Sequence, residues 1–412
     1  MTDRETSSAA PAPAPRQRRR TEMLLQGEPD GQRWIAWVMK RTYRIHNGRC
    51  ELDAPGRQEV LHDDEIPYND KRKPPRVSPP LVVDDLLPFR RATDVVVQAF
   101  AHAYRPGTRK LTASVQFGEH QREIVVHGDR VGELDRAGKP RFSEATPIEV
   151  VPVRYDYAYG GVDLTALGRN GDILGQFIQD ARRGMSTLSD TPYHYPRNPC
   201  GYGYLMELDA ESFTGLPIPN LEYPFDPLTP QRLAVGKPTR WIHAPLPAGW
   251  DFQSIAWFPR IAYLGLAPSC QPDARVAEVE RGWAAQDILT IPPLYQDPGA
   301  PLRLEHAQTA SPGMSVSDLG PGDYFELRNL HPTRQVYSFH LPDEAPRVLL
   351  ELDPGRLTEV ETHLCSVVVR PVPGEVVVVW SARAPVALEL TEEQRMNLRR
   401  EVRWISAARS AR

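Results

Sequence analysis

Cysteine is scarce and scattered: four in 412 residues, at Cys50, Cys200, Cys270 and Cys365. No two share a C-x-x-C spacing, which argues against a disulfide framework or a zinc knuckle and leaves buried, idle thiols. Long apolar runs are missing. No stretch reaches about 18 apolar residues, so no membrane insertion is expected. A charge excess is missing too: 49 Lys and Arg face 53 Asp and Glu, a formal net of −4. Nucleic-acid binders and binders of anionic membranes carry a basic excess, so neither partner is expected. There is no G-x-S-x-G elbow, no G-x-x-x-x-G-K-[ST] loop and no G-x-G-x-x-G opening a helix. Elbow-type hydrolysis and nucleotide binding therefore lack their local machinery.

Proline is in excess. The chain holds 42, with 28 Gly, about twice average proline usage. Proline breaks helix interiors, so a helical bundle is disfavoured and a loop-rich, mainly β chain is favoured. Residues 1–22 are rich in Ala, Pro, Ser and Arg and read as a disordered, solvated tail. Only Met23-Leu24-Leu25 follows Arg18-Arg19-Arg20 before polar residues return, too short for a signal h-region. A cytoplasmic location is the resulting expectation.

Strand signals begin early. Trp34–Ile45 mixes aromatic and β-branched residues, and Asn47-Gly48 offers a hairpin turn into Arg49–Leu52. Lys71–Pro80 is a proline-rich connector. Asp94–Tyr104, Leu111–Phe117, Glu123–Val126 and Pro147–Arg154 read as further strands. The loops between them are too short for crossovers, so residues 23–154 look like an antiparallel meander. Residues 155–321 are irregular and rich in Gly, Pro and Tyr, with helix candidates only at Asp172–Arg183 and Gly282–Leu289. Strands return in 322–390: Asp323–Asn329, Gln335–Leu341, Arg347–Leu352 and Glu359–Arg370. The segment VRPVPG then turns the chain into Glu375–Trp380. Val376–Val379 is continuously apolar, which predicts a strand buried on both faces. Thr391-Glu392-Glu393-Gln394 matches a capping box, with Leu398, Val402 and Ile405 at helical spacing. Residues 391–412 hold six Arg and three Glu and are expected to form an amphipathic basic helix. The architecture expected is mainly β, antiparallel and sandwich-like, with the 322–390 strands packing on the first region.

Chemistry candidates are few. His62-Asp63-Asp64-Glu65 is the densest run of metal-ligand types. Neighbours on an extended segment point to opposite sides, so a solvated loop is the reading. His120 and His127 are placed to face each other across a hairpin, but two imidazoles do not hold a zinc. No metal and no cofactor are expected. Tyr155, Tyr157, Tyr159, Tyr193, Tyr195, Tyr202 and Tyr204 crowd one region. They either form a sugar- or protein-binding surface or pin irregular loops onto a sheet, and the second reading is favoured.

Several motifs occur in a distinctive order. VHGDR spans Val126–Arg130 and YAYGG spans Tyr157–Gly161. YPRNPCGYG spans Tyr195–Gly203, LPIPNLE spans Leu216–Glu222, and FELRNLHP spans Phe325–Pro332. The series resembles a bacterial family of unknown function found beside type VI secretion effectors. The likeness runs from about residue 30 to 385. Members resemble adaptors or dedicated chaperones that load a toxic effector onto the secretion spike. The resemblance implies a non-enzymatic protein whose partner is a secreted effector, with the spike protein as a second candidate. It places binding residues in the motif loops: Asp129, Arg130, Tyr159, Gly160, Gly161, Arg197, Asn198, Pro199, Gly201, Asn220, Glu222, Asn329, His331 and Pro332. By their chemistry, Gly160-Gly161 permits positive φ or close backbone approach, Asn198 and Asn220 suit side-chain-bonded turns, and Arg130 and Arg197 suit clamps on carboxylates or carbonyls. The central region 155–321 is the expected contact surface, with strand addition as one route to the client. Two other readings stay open. One is a carbohydrate-active or other hydrolase with paired carboxylates near the tyrosines, which needs a close acid pair of raised pKa. The other is a structural component of the secretion particle.

Overall fold

The computed structural model describes residues 21–27, 33–54, 92–163, 197–236, 243–253, 313–353, 355–386 and 400–406. It also describes shorter pieces within 58–85 and at 195, 241, 257 and 310–311. The helix candidates 172–183 and 282–289 and the run His62–Glu65 lie outside the described residues.

The fold is mainly β, as expected. Its largest sheet has seven strands. In order these are Thr21–Gly27, Arg33–His46, Glu375–Val386, Thr362–Arg370, Thr93–Val97 and Ser315–Val316, with Arg49–Leu52 also pairing to Arg33–His46. Asn47 (φ 49°) and Gly48 (φ 75°) make the tight turn between the second strand and Arg49–Leu52, the conformation that an Asn-Gly hairpin demands. One pairing departs from a meander. Thr93–Val97 runs parallel to Thr362–Arg370, in register Val95 opposite Val367. The region expected as a single strand over 359–370 is two, Arg356–Val360 and Thr362–Arg370, which separate at Glu361.

A five-stranded antiparallel sheet packs against the first: Leu221–Glu222, His120–His127, Lys110–Phe117, Tyr324–Arg328 and Val336–His340. The two sheets share one apolar core, in which Trp37, Val95, Val97, Val376 and Val378 meet Val115, Phe117, Ile124, Phe325 and Phe339. The opposite face of the large sheet is covered as well. Val38, Val96, Val368, Val377 and Val379 turn into a second cluster with Val60, Val83 and Phe252. Alternate residues along the valine run therefore enter two different cores, which is why the run reads as continuous rather than alternating. Each buried valine contributes about 1.5–3 kcal/mol over an exposed one.

The expected C-terminal helix is not formed where the chain is described. Arg400–Ser406 is a strand, antiparallel to Glu344–Asp353 in register from Glu344↔Ser406 to Leu350↔Arg400. Arg41 stacks over Trp404 at 3.8 Å, and Val402 packs on the main core. Sheet pairing and this contact override a helical spacing that propensity alone left ambiguous. At the other end, Thr21 and Glu22, counted in the expected tail, begin a strand paired with Met39 and Val38. No helix among the described residues is long and apolar enough to cross a membrane.

Candidate functional site

The motif residues fall into two places. The first is a knot of loops at the end of the His120–His127 strand. His127 N–H donates to Asn220 O (2.8 Å), and Asn220 Nδ2 returns a bond to His127 O (3.0 Å). The same amide donates to Asp129 Oδ1 (3.0 Å), while Tyr202 O–H donates to Asn220 Oδ1 (2.5 Å). Arg130 Nη2 donates to Pro219 O at 2.8 Å, and its guanidinium lies 5.3 Å over Phe142. Of the two acceptors expected for it, a carboxylate or a carbonyl, it holds a carbonyl.

His127 pairs with Glu222 inside this knot. The second Glu222 oxygen accepts Leu228 N–H at 2.8 Å. Burial pushes the Glu222 carboxyl up, but the His127 contact and the Leu228 amide outweigh it and hold the group below its ordinary range. Burial also lowers His127, against the pull of Glu222 and with the help of Arg130. The pair is thus a neutral imidazole donating to an ionised carboxylate whose charge faces Arg130. His120 does not join it. Both histidines lie on one strand, His120 opposite Phe117 and His127 opposite Lys110, so they sit at its two ends rather than across a hairpin. His120 pairs instead with Asp318 at 2.7 Å.

The glycine motifs lock the adjoining loops. Gly160 (φ 152°) and Gly161 (φ 85°) bring backbone so close that a Cβ at either would lie 2.2 Å from the carbonyl oxygen of Asn198 or Gly201. At Gly201 it would meet Ala158 O at 2.4 Å. Asn198 stitches the loop from within, donating to Tyr155 O (2.7 Å) and Tyr159 O (3.0 Å) and accepting the Cys200 thiol (3.0 Å). Pro199 is buried between them. Buried Arg197 lies 5.3 Å over the Trp241 ring. Tyr159, Tyr195 and Tyr204 form an aromatic cluster with centroid separations of 5.1–6.3 Å. Their hydroxyls reach inward, Tyr159 to Leu233 O (2.9 Å) and Tyr195 to Pro245 O (3.0 Å). These three tyrosines pin loops rather than present a surface; Tyr193 lies outside the described residues.

The second place is the turn that carries Asn329, His331 and Pro332. Asn329 adopts φ 60° and donates from Nδ2 to Thr112 O at 2.9 Å, which fixes the turn onto the neighbouring strand. His331 stacks on Tyr337 at 4.7 Å, and its carbonyl accepts the Tyr104 hydroxyl. This turn, the Asn47 turn and the Pro371–Gly374 turn border an open depression of about 370 Å³. His46, Arg334, Tyr337 and Val372 line it alongside His331 and Pro332. Sequence reasoning missed the first four. Only Arg334 had a local signal, as a cation two residues past the motif.

A third cluster also went unforeseen. Arg154 grips Asp156 through two bonds of 2.6 and 3.1 Å, and the Asp156 side chain is fully buried. Nearby, burial pushes the Asp251 carboxyl up to about 6, against bonds from Gln98 and the Phe252 amide. Gln98 links Asp251 (2.8 Å) to Arg370 (2.7 Å), which pairs with buried Glu375 at 2.5 Å. No group of three or more metal-ligand side chains converges among the described residues.

The motif residues of this mainly β protein thus serve to lock its loops onto one another. The family model described as an uncharacterized protein conserved in bacteria matches residues 30–381, and the chain belongs to that family, DUF2169. The chain matches no curated protein and no solved structure.

Proposed function

We propose that this chain is a non-enzymatic adaptor that binds one toxic effector and helps load it onto the type VI secretion spike. The observation that supports this is the use of the motif side chains. Asn198, Asn220, Arg130 and Arg197 bond to main-chain carbonyls or lie over rings, so the family signature builds shaped loops. Apolar side chains stand exposed at separate places: Phe225 at 63%, Val372 at 52% and Val150 at 50%. Of these, Val372 lines the depression beside Arg334 and His331, where an apolar group among polar ones suits protein contact. The link to secretion rests on the ordered motif series. The test is a deletion of this gene in a strain with an active secretion system. The reading predicts that the particle still assembles while one toxin stays inside the cell. Unchanged secretion of every effector refutes it.

One observation favours a second reading. Asp251, raised to about 6, lies within electrostatic reach of Asp156 and Arg154 beside Tyr155. A hydrolase with an acid of raised pKa near the tyrosines needs such a pair. Both carboxylates are buried, however, which gives a substrate no approach among the described residues. Hydrolysis of a glycan or ester substrate that Asp251→Asn abolishes would establish it.

A further inference from the structure

The depression among the three turns has a consistent chemistry. His46, His331 and Arg334 are its basic side chains among the described residues, and no carboxylate lines it. Two acids on the neighbouring strands are paired, Asp53 with Arg44 at 2.9 Å and Glu375 with Arg370 at 2.5 Å. Arg334 is exposed and stands 5.9 Å over the Tyr337 ring. His331 Nδ1 accepts the Thr333 amide at 3.2 Å, so the proton of its neutral ring is on Nε2, a donor. Beside these donors lies apolar surface from Pro332, Val372 and Pro373. Two of the three turns are pinned by hydrogen bonds, one by the Asn329 bond to Thr112 O, the other by Gly374 N–H on Arg370 O (3.0 Å). A rigid surface loses little freedom on binding.

From this complementarity we propose that the depression docks an acidic, apolar-flanked segment of the protein partner. A carboxylate accepts from Arg334 and His331 Nε2, and its apolar neighbour lies on Pro332 and Val372. A bare inorganic anion makes no use of the apolar half. The site deepens the adaptor reading and rests on it for the identity of the partner.

The test uses the full chain and a fluorescein-labelled Glu/Leu peptide, compared by anisotropy with the same peptide carrying Gln for Glu. The acidic peptide is expected to bind at least about tenfold more tightly, with affinity falling as salt rises. Arg334→Ala and Val372→Asp, both at exposed positions, each lower that affinity by about tenfold while the melting temperature holds. Equal binding of the two peptides overturns the proposal, as does an Arg334→Ala variant that binds like the parent. So does an oligonucleotide that outcompetes the peptide at equal charge. The same variants then meet the effector. Undiminished capture by both removes the docking site and leaves the adaptor reading standing. Peptide binding as predicted, with no effector captured by the parent, does the reverse.

Discussion

Asn198→Ala tests whether the signature is scaffold or contact surface. Its side chain donates to the carbonyls of Tyr155 and Tyr159 and accepts the Cys200 thiol, all within a buried loop. A buried acceptor left without its donor costs about 1–3 kcal/mol. Tyr155 O retains the Ala158 amide at 3.2 Å, so its loss lies at the low end. The expected destabilisation is about 2–4 kcal/mol. Asn198→Asp keeps the shape but faces two carbonyls with an oxygen, and should cost at least as much. Denaturant unfolding followed by tryptophan fluorescence reads both. Partner binding by the fraction still folded should be unchanged. A variant with parental stability and lost binding would refute the reasoning, since Asn198 would then act at the surface.

Three further outcomes follow from the same geometry. Asp251→Asn keeps both hydrogen-bond acceptor contacts and removes a buried charge. Because the folded carboxyl sits near 6 against an ordinary 3.8, the wild type loses stability as pH rises through that window. The variant should be about 3 kcal/mol more stable at pH 7 and no better near pH 4, read by melts across pH. Acid acts oppositely on the loop knot. His127 is held below its ordinary 6.5 and Glu222 below its ordinary 4.5. The unfolded chain therefore takes up protons first, and stability falls as pH drops through each value in turn. His127→Gln, which keeps a donor to Glu222, should flatten the upper part of that fall. Finally, removing residues 400–412 strips a strand from Glu344–Asp353 and the cation–π partner of Arg41. It should lower the melting temperature, and an unchanged melt would show that the strand pairing carries no stability.

The strands were legible where local chemistry and tertiary use agree. Asn47-Gly48 marks its hairpin because few other dipeptides accept positive φ twice. The Val376–Val379 run announces a strand covered on both faces, and each face has its own core. What was not legible depends on distant partners. Thr93–Val97 looks like one arm of a meander, yet its parallel neighbour arrives more than two hundred residues later. Val402 and Ile405 fit a helix stripe in isolation, and only the Glu344–Asp353 strand decides otherwise. Among the candidate site residues, the glycines sit at close approaches and Arg130 on Pro219 O as their types allow, whereas Asn198 and Asn220 donate to carbonyls far along the chain instead of closing local side-chain turns. Their assembly into two separate places was invisible, since His331 meets His46 and Val372 only through turns of different strands. The Asp251 cluster gave no signal because its members stand at unrelated positions along the chain.

The most direct test of the adaptor account is the mass of the complex in solution. The tagged full chain would be purified from its native bacterium with the secretion system expressed, then measured by native mass spectrometry. The account predicts a defined stoichiometric assembly of this chain with one toxin-like polypeptide. The bare chain alone, under conditions where the effectors are present in the cell, would contradict it.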